Sequence, residues 1–275
     1  MIYRDTNIQA ARAAGNFNTR RDSSGGRGGG RRGGGGSDPL AAAEASINSI
    51  ANLVVNLDAR DPAQGAITHW IDRVSAYDFA GTATANTAIN SRPTITGNGS
   101  SNILTSSAAI AGISGASAIT VVAAMLDTDT GTKIISELSA LYTSNAGSFT
   151  TYVDLSGGRF SNAGFGNVGA TVSTTLDTLG TAAVWTTQIN FALASAEAGV
   201  IRKNGAAPAT ITQSTNSNNT GTFGSYALNL FARTGALFAW SGSISKYLLF
   251  SRALTAGEML QAERAVGVIT GITVA

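Results

Sequence analysis

The stretches ITVVAAML at residues 119–126 and ISKYLLF at residues 244–250 decide the fold class. Both are short, apolar and rich in β-branched or aromatic residues, which is typical of buried β-strands. Five further segments share this character, at residues 53–57, 133–138, 149–153, 184–193 and 226–231. Seven such strands followed by one late helix predict an all-β, two-sheet antiparallel sandwich.

Local signals predict the turns and helices around these strands. Asn204-Gly205 predicts a hairpin turn because both residues accept positive φ, with residues 206–212 as the returning strand. Thr255 and Glu258 have the spacing of a capping box, which predicts a short C-terminal helix over residues 256–266. Asp38-Pro39 opens a predicted connecting helix at residues 38–52, so we expect the folded domain at residues 53–275.

The composition excludes several kinds of site. Charged residues make up only 12% of the chain, about half the usual ~25%. The absence of cysteine excludes disulfides and thiolate sites, and a single histidine, His69, excludes a multi-histidine metal site. The sequence has no apolar stretch near the ~18 residues of a membrane span and no apolar signal core at its start. We therefore expect a soluble protein without membrane association, made without a Sec-type leader.

Residues 1–37 predict an extended Gly/Arg-rich N-terminal arm. Residues 1–39 carry seven arginines and three aspartates, a net charge of +4, whereas the remainder carries −2. Residues 5–15 predict a marginal helix and residues 16–36 a flexible tether. Guanidinium groups bind carboxylates and phosphates, and the predicted attachment residues are Arg20, Arg21, Arg27, Arg31 and Arg32.

Three interpretations of the arm remain open: a solvated linker, attachment to an acidic protein surface or neighbouring subunit, and nucleic-acid binding. Nucleic acid is the least favoured, because the Gly/Arg-rich residues 16–36 offer only Phe17 as a ring on which a base could stack. Several arms on a homo-oligomer would bind by avidity, and we expect such an oligomer.

Residues 57–61 (LDARD), 68–73 (THWIDR) and 240–255 (WSGSISKYLLFSRALT), with the 119–126 strand between them, occur in a familiar order. Together they resemble the laminin-G-like branch of the concanavalin A-like lectin/glucanase superfamily, particularly the versions found in tailed-phage structural proteins. The resemblance covers residues 53–272 and implies a jelly roll of two curved antiparallel sheets. It implies no single function, because lectins, hydrolases, adhesins and structural modules share this fold.

The sequence lacks the carboxylate pattern of the superfamily's hydrolases, which place acidic residues alternately on one strand. Asp127 and Asp129 come nearest, and they predict a turn, with a weak calcium site as the alternative. His69 is expected to be structural, with an acid/base role as the alternative, and Asp58 and Asp61 are expected to form an ion pair with Arg60. The glycine-rich stretches at residues 156–159 and 164–167 predict tight turns, because they lack the Lys-Ser/Thr ending of a phosphate loop.

Sugar binding would require exposed aromatic rings. The candidates are Trp185, Trp240, Tyr152 and Tyr226, although aromatic residues at alternating strand positions are more often part of a core.

These observations lead to a functional hypothesis. We expect a noncatalytic structural protein of a phage virion, a capsid decoration or tail appendage, anchored to other virion proteins by residues 1–37 and using no cofactor. The alternative is a carbohydrate-binding adhesin that recognises host-surface glycans from a virion or a cell surface.

Overall fold

Fifteen β-strands and two α-helices make up the part of the chain that the computed structural model describes. This part comprises residues 38–62, 65–129, 131–139, 146–154, 159–166, 170–176, 180–193, 198–207, 212–215 and 220–275. The five attachment arginines and the rest of residues 1–37 lie outside the described residues, so every statement about the arm stays a prediction.

The helices are α1 (Pro39–Asn48) and α2 (Ala256–Thr270), with a short 3₁₀ turn at Ala111–Ile113. The strands are β1 (Leu53–Asp58), β2 (Gly65–Ile71), β3 (Asp78–Ile89), β4 (Arg92–Thr96), β5 (Ile103–Ser106), β6 (Ala118–Leu126), β7 (Lys133–Leu138), β8 (Ser148–Asp154), β9 (Arg159–Phe165), β10 (Ala170–Leu176), β11 (Ala183–Asn190), β12 (Gly199–Lys203), β13 (Thr212–Thr215), β14 (Leu228–Leu230) and β15 (Ser243–Phe250).

The strands form an antiparallel sandwich, and hydrogen bonds link its two layers into one continuous sheet. Hydrogen bonds connect the strands in the order β12-β11-β6-β15-β4-β3-β5-β14-β7-β8-β9-β10-β13, with β1 on β15 and β2 on β3. β15 pairs with β4 at Ser243 and Ile244, and its register against β6 then shifts between Ile244 and Lys246. Such a bulge bends a strand, and beyond it β15 pairs with β1. The predicted all-β jelly-roll sandwich with a C-terminal helix is confirmed.

The main core lies between the β12-β11-β6-β15 layer and the β7-β8-β9 layer. Phe160 of β9 stacks on Trp185 of β11 with ring centroids 4.2 Å apart. The fully buried Tyr247 of β15 donates a hydrogen bond of 3.1 Å to Ser136 Oγ of β7. Aromatic side chains with a bonded polar tip can fill a core without leaving an unpaired group.

The two helices cover the outer face of the β11-β6-β15 layer. Val122 and Ala124 of β6 and Leu248 of β15 point outward into a second apolar cluster with Ile47 of α1 and Val266 of α2. This layer is therefore apolar on both faces, which explains why the 119–126 and 244–250 stretches do not alternate with polar residues. No helix among the described residues is both long and apolar enough to cross a membrane.

The tight turn predicted for the glycine-rich residues 164–167 is wrong at Gly164, which lies within β9 and not in a turn. A Cβ at Gly164 would lie 2.7 Å from Ile189 Cγ2 of β11. Glycine is thus required by the close approach of the two layers. Arg159 likewise begins β9, while residues 155–158 and 167–169 lie outside the described residues.

The Asn204-Gly205 turn is confirmed, while residues 208–211 of the predicted returning strand lie outside the described residues. Both turn residues have positive φ, 51° and 89°, and a bridge joins Lys203 to Ala206. β13 begins at Thr212 and pairs with β10 instead of β12. The capping box at Thr255 is confirmed, and its helix extends beyond the predicted end to Thr270.

Candidate binding groove

The loop at residues 231–238 carries unusual backbone strain. Phe231, Ala236 and Phe238 have φ values of 70°, 59° and 54°, in the left-handed region that bulky residues rarely adopt. The loop is fixed in this form by backbone hydrogen bonds, in which Phe231 N donates to Ile135 O (2.9 Å) and Ile134 N donates to Phe238 O (2.9 Å). Strain of this kind is concentrated at functional sites, so the surface beside this loop is of interest.

A groove of about 200 Å³ lies between this loop and the outer face of β7 and β8. We call it the β7–β8 groove. Thr151 faces the core, so its neighbours Thr150 and Tyr152 point to the opposite side of β8. The residues that line the groove are Thr132, Ile134, Thr150, Tyr152, Arg233 and Phe238.

Phe238 is the exposed aromatic residue of the groove, with 48% of its surface open to solvent. The guanidinium carbon of Arg233 lies 5.2 Å from the centre of the Phe238 ring, a cation–π distance. Arg233 therefore helps to hold the ring in place beside the groove.

Arg233 also carries the ionic contact of the groove. Its Nε donates a hydrogen bond of 2.7 Å to Glu137 Oε2, and Glu137 is fully buried. The second carboxylate oxygen of Glu137 accepts a hydrogen bond of 2.8 Å from Ser139. A buried carboxylate is stable only when paired and hydrogen-bonded, so this contact is part of the fold as well as of the groove.

Tyr152 supplies a second ring, which is half-buried. Burial raises the pKa of its hydroxyl, and the Asp154 carboxylate adds to this rise, while a hydrogen bond with Ser161 opposes it. Tyr152 is therefore neutral near pH 7, and it can offer both an apolar ring face and a hydroxyl.

Of the four predicted sugar contacts, the structure places only Tyr152 in the β7–β8 groove. Trp185 and Trp240 are 3% and 0% exposed, because Trp185 stacks on Phe160 and Trp240 donates a hydrogen bond of 2.7 Å to Asp127 Oδ1. Neither ring reaches the surface, so both are reassigned to the core. Tyr226 is half-buried and donates to Ala146 O (3.0 Å), and it does not line the groove.

Asp127 and Asp129 form a turn that secures the Trp240–Ser241 segment. Asp127 Oδ1 accepts hydrogen bonds from Trp240 Nε1 and from Asp129 N (3.0 Å), and Asp129 Oδ2 accepts one of 2.5 Å from Ser241 N. The described residues contain no group of three or more acidic or histidine side chains arranged for a metal ion. These oxygens accept hydrogen bonds from protein donors.

Asp58 and Arg60 belong to a larger ionic cluster at the start of the domain. Lys246 Nζ lies 2.8 Å from Asp58 Oδ2 and 2.9 Å from Glu44 Oε1, and both Lys246 and Asp58 are fully buried. Arg60 pairs with Glu44 as well as with Asp58. Burial alone would raise the pKa of Asp58, but the hydrogen bond from Arg60 and the Lys246 charge hold it well below its usual range.

Asp61 and His69 make their contacts elsewhere. Asp61 pairs with Arg73 (2.7 Å) and not with Arg60 as predicted. His69 Nδ1 lies 2.8 Å from Asp78 Oδ2 on the neighbouring strand β3, with 59% of the histidine side chain exposed. This contact lies outside the β7–β8 groove.

Sequence reasoning missed Arg233 and Phe238. The segment at residues 231–239 (FARTGALFA) contains one glycine and no strand pattern. Nothing in the local sequence therefore shows that Phe231, Ala236 and Phe238 adopt positive φ. The one sequence feature that could have indicated an exposed aromatic contact was Phe238 itself, which stands alone in a segment without strand or helix periodicity.

No family model matches the chain, and no curated protein matches it by sequence. Solved structures do match. A Trypanosoma rangeli sialidase in complex with 2,3-difluoro-KDN is 13% identical with a TM-score of 0.50, over 83% of this chain and 38% of the sialidase. The binding domain of botulinum neurotoxin serotype G is 11% identical with a TM-score of 0.55, over 78% of this chain and 51% of that chain.

A third similar structure belongs to botulinum neurotoxin type C, whose cell entry is dependent upon interaction with two ganglioside molecules. It is 10% identical with a TM-score of 0.53, over 78% of this chain and 51% of that chain. This chain thus spans about half of these neurotoxin structures and less of the sialidase. Identities this low show a shared β-sandwich fold alone, and the concanavalin A-like and phage assignments stay predictions.

Proposed function

We propose that this chain is a noncatalytic carbohydrate-binding module whose ligand occupies the β7–β8 groove. The observation that carries the proposal is the strained loop that holds the exposed Phe238 ring beside Tyr152 and Thr132. The apolar face of a sugar ring packs on aromatic side chains, while its hydroxyls need hydrogen-bonding groups at the rim. The groove offers both within one small space.

The size of the groove limits its ligand. Its volume of about 200 Å³ lies below the ~300 Å³ typical of pockets for drug-sized ligands. A single sugar ring, such as the terminal residue of a glycan, suits this volume better than an extended oligosaccharide.

Binding without hydrolysis fits the residues present. Most glycoside hydrolases use two carboxyl groups flanking the scissile bond, about 5–10 Å apart. The six residues that line the groove include no carboxylate, and Glu137 beneath it is buried and paired with Arg233. A ganglioside-dependent neurotoxin with a similar fold supports the proposal that such a sandwich presents a glycan site.

The phage-virion role, the virion location and the anchoring function of residues 1–37 remain hypotheses from the sequence. They are compatible with a glycan-binding domain carried on a particle, since adhesion requires both an anchor and a binding site. Testing the anchor requires assembled particles, whereas the groove can be tested on the isolated protein.

A glycan array probed with the labelled full-length protein, with and without calcium, tests the proposed function. Phe238→Ala is expected to lower the signal for bound glycans roughly tenfold, since it removes the aromatic contact. Val268→Ala is the matched control, because Val268 is also 48% exposed but lies on α2. Absence of any bound glycan would contradict the proposal, and binding that Phe238→Ala leaves unchanged would move the site elsewhere.

A further inference from the structure

The cationic side chain of the β7–β8 groove is already neutralised by the protein. Arg233 Nε donates to Glu137 Oε2 at 2.7 Å, and the Glu137 side chain has no exposed surface. Removing the cation would leave a buried carboxylate uncompensated, which is costly. A ligand carboxylate at Arg233 would therefore compete with a contact that the fold requires.

The other charged side chains near the groove do not line it. Asp154 accepts a hydrogen bond of 3.2 Å from Thr132 and lies opposite Arg159 in the β8–β9 register, so these two charges share one face of the sheet. Lys133 extends to the carbonyl oxygen of Gly99 (3.4 Å). Arg233 is thus the one charged side chain among the six residues that line the groove.

The hydroxyls of the groove favour ligands that donate hydrogen bonds. Thr132 Oγ1 donates to Asp154 Oδ1, and Thr150 Oγ1 donates to Ser136 O (3.1 Å). A threonine hydroxyl has one proton and two lone pairs, so both hydroxyls retain only acceptor capacity. Thr150 is 1% exposed, so Thr132 is the one of the two that can accept from a ligand. Sugar hydroxyls can donate to it, whereas an ionised carboxylate can only accept.

We propose that the β7–β8 groove selects uncharged, hydroxyl-rich sugars over sugars that bear a carboxylate, and that Glu137 sets this selectivity by holding the Arg233 guanidinium. This inference rests on the proposed function of the groove. Glu137 does not touch the ligand in this proposal; it is a positioning residue that acts through Arg233.

The test compares matched pairs of neutral and sialylated glycans on one array, for the wild-type protein and for Glu137→Gln. The wild-type protein is expected to bind the neutral members and to lose signal when sialic acid is added. Glu137→Gln keeps the size of the side chain but releases the Arg233 charge, so the ratio of sialylated to neutral signal should rise roughly tenfold. Ser139→Ala is the control, because it removes a hydrogen bond to Glu137 without changing any charge.

Each outcome distinguishes this inference from the proposed function. If the wild-type protein binds sialylated glycans as well as neutral ones, or if Glu137→Gln leaves the ratio unchanged, the selectivity inference is wrong while the glycan site stands. If neither class binds, the proposed function is wrong.

A second measurement covers the case in which Glu137→Gln does not fold. The affinity of the wild-type protein for the sialylated member of a glycan pair should not change between about 50 mM and about 500 mM salt. A several-fold loss over this range would reveal a charged ligand contact and would overturn the inference.

Discussion

At the scale of single residues, Lys246 shows how much this fold depends on one buried charge. Lys246 has no exposed surface and reaches two carboxylates, Asp58 on β1 and Glu44 on α1. The sequence marked Asp58, Arg60 and Asp61 as an ionic group, but the central cation comes from the last strand. Chain segments from both ends of the domain therefore meet at this ammonium group.

Lys246→Met should lower the free energy of unfolding by about 3 kcal/mol, because it leaves the buried Asp58 with one cationic partner fewer. Urea denaturation at neutral pH measures the change. Lys133→Met is the matched control, since Lys133 is partly exposed and its ammonium group donates to the carbonyl oxygen of Gly99 at 3.4 Å; we expect less than about 1 kcal/mol there. Equal effects of the two substitutions would contradict this account.

At the scale of elements, α2 begins with a reciprocal cap. Thr255 Oγ1 accepts from Glu258 N, and the Glu258 carboxylate accepts from Thr255 N (2.9 Å) and from Arg252 Nη2 (2.6 Å). These contacts satisfy backbone donors that every helix start leaves free. The helix then ends at Gly271, whose φ of 73° is left-handed, as is typical of a helix end.

The cap makes the stability of the protein depend on pH. The hydrogen bond from Arg252, with those from Thr255, lowers the pKa of Glu258 from 4.5 to about 2. Because the pKa of Glu258 is lower in the folded than in the unfolded state, its carboxylate stabilises the fold fully at pH values above the unfolded-state pKa. This stabilisation is lost as the pH falls toward the folded-state pKa. The stability difference between the wild type and Glu258→Gln should therefore be constant from pH 7 to about 5 and shrink below about 4.5. A difference that does not change with pH would contradict the assignment.

Gly164 tests the spacing of the two layers. Gly164→Ala should lower the free energy of unfolding by about 2 kcal/mol, because the new Cβ would overlap Ile189 and overfill the core. Ile189→Ala removes the atoms that it would meet, so Gly164→Ala should cost less in that background. Urea denaturation of the wild type, the two single variants and the double variant measures this coupling in a double-mutant cycle. Additive effects of the two substitutions would argue against the close approach of Gly164 to Ile189.

At the scale of the whole molecule, the described residues after position 37 form three layers. The β7-β8-β9 layer carries the groove, the β11-β6-β15 layer is buried on both faces, and the helices cover the outside. Helix α1 packs on α2, with Gln261 Nε2 donating to Ser46 O (2.9 Å). Residues after Asp38 are therefore part of the packed structure.

Deleting residues 1–50 should lower the free energy of unfolding by roughly 4 kcal/mol, because it removes the buried Ile47 and Ile50 together with Glu44. It should also increase binding of a hydrophobic dye, since the outer face of β6 becomes exposed. Deleting residues 1–37 is the control, because it retains α1 and its contacts. If both deletions have the same effect, α1 does not stabilise the sheet.

Prediction from sequence succeeded where structure depends on neighbouring residues. Apolar runs such as residues 119–126 and 244–250, the Asn204-Gly205 turn and the Thr255–Glu258 cap each carry their signal within a few residues. The prediction at Gly164 was wrong, because a glycine in a strand resembles a turn glycine until the opposite layer is known. Among the proposed sugar contacts, alternation along a strand could not tell the core side of Trp185 from the outer side of Tyr152.

The sequence by itself determined the fold class, the C-terminal helix and its cap, and the exclusion of cysteine chemistry, because each depends on local pattern or on composition. Only the tertiary structure decided the burial of Trp185 and Trp240, the central position of Lys246 and the groove formed by Tyr152, Arg233 and Phe238. These features join residues far apart in the chain, and their energies come from burial and pairing that exist only once the two layers have closed.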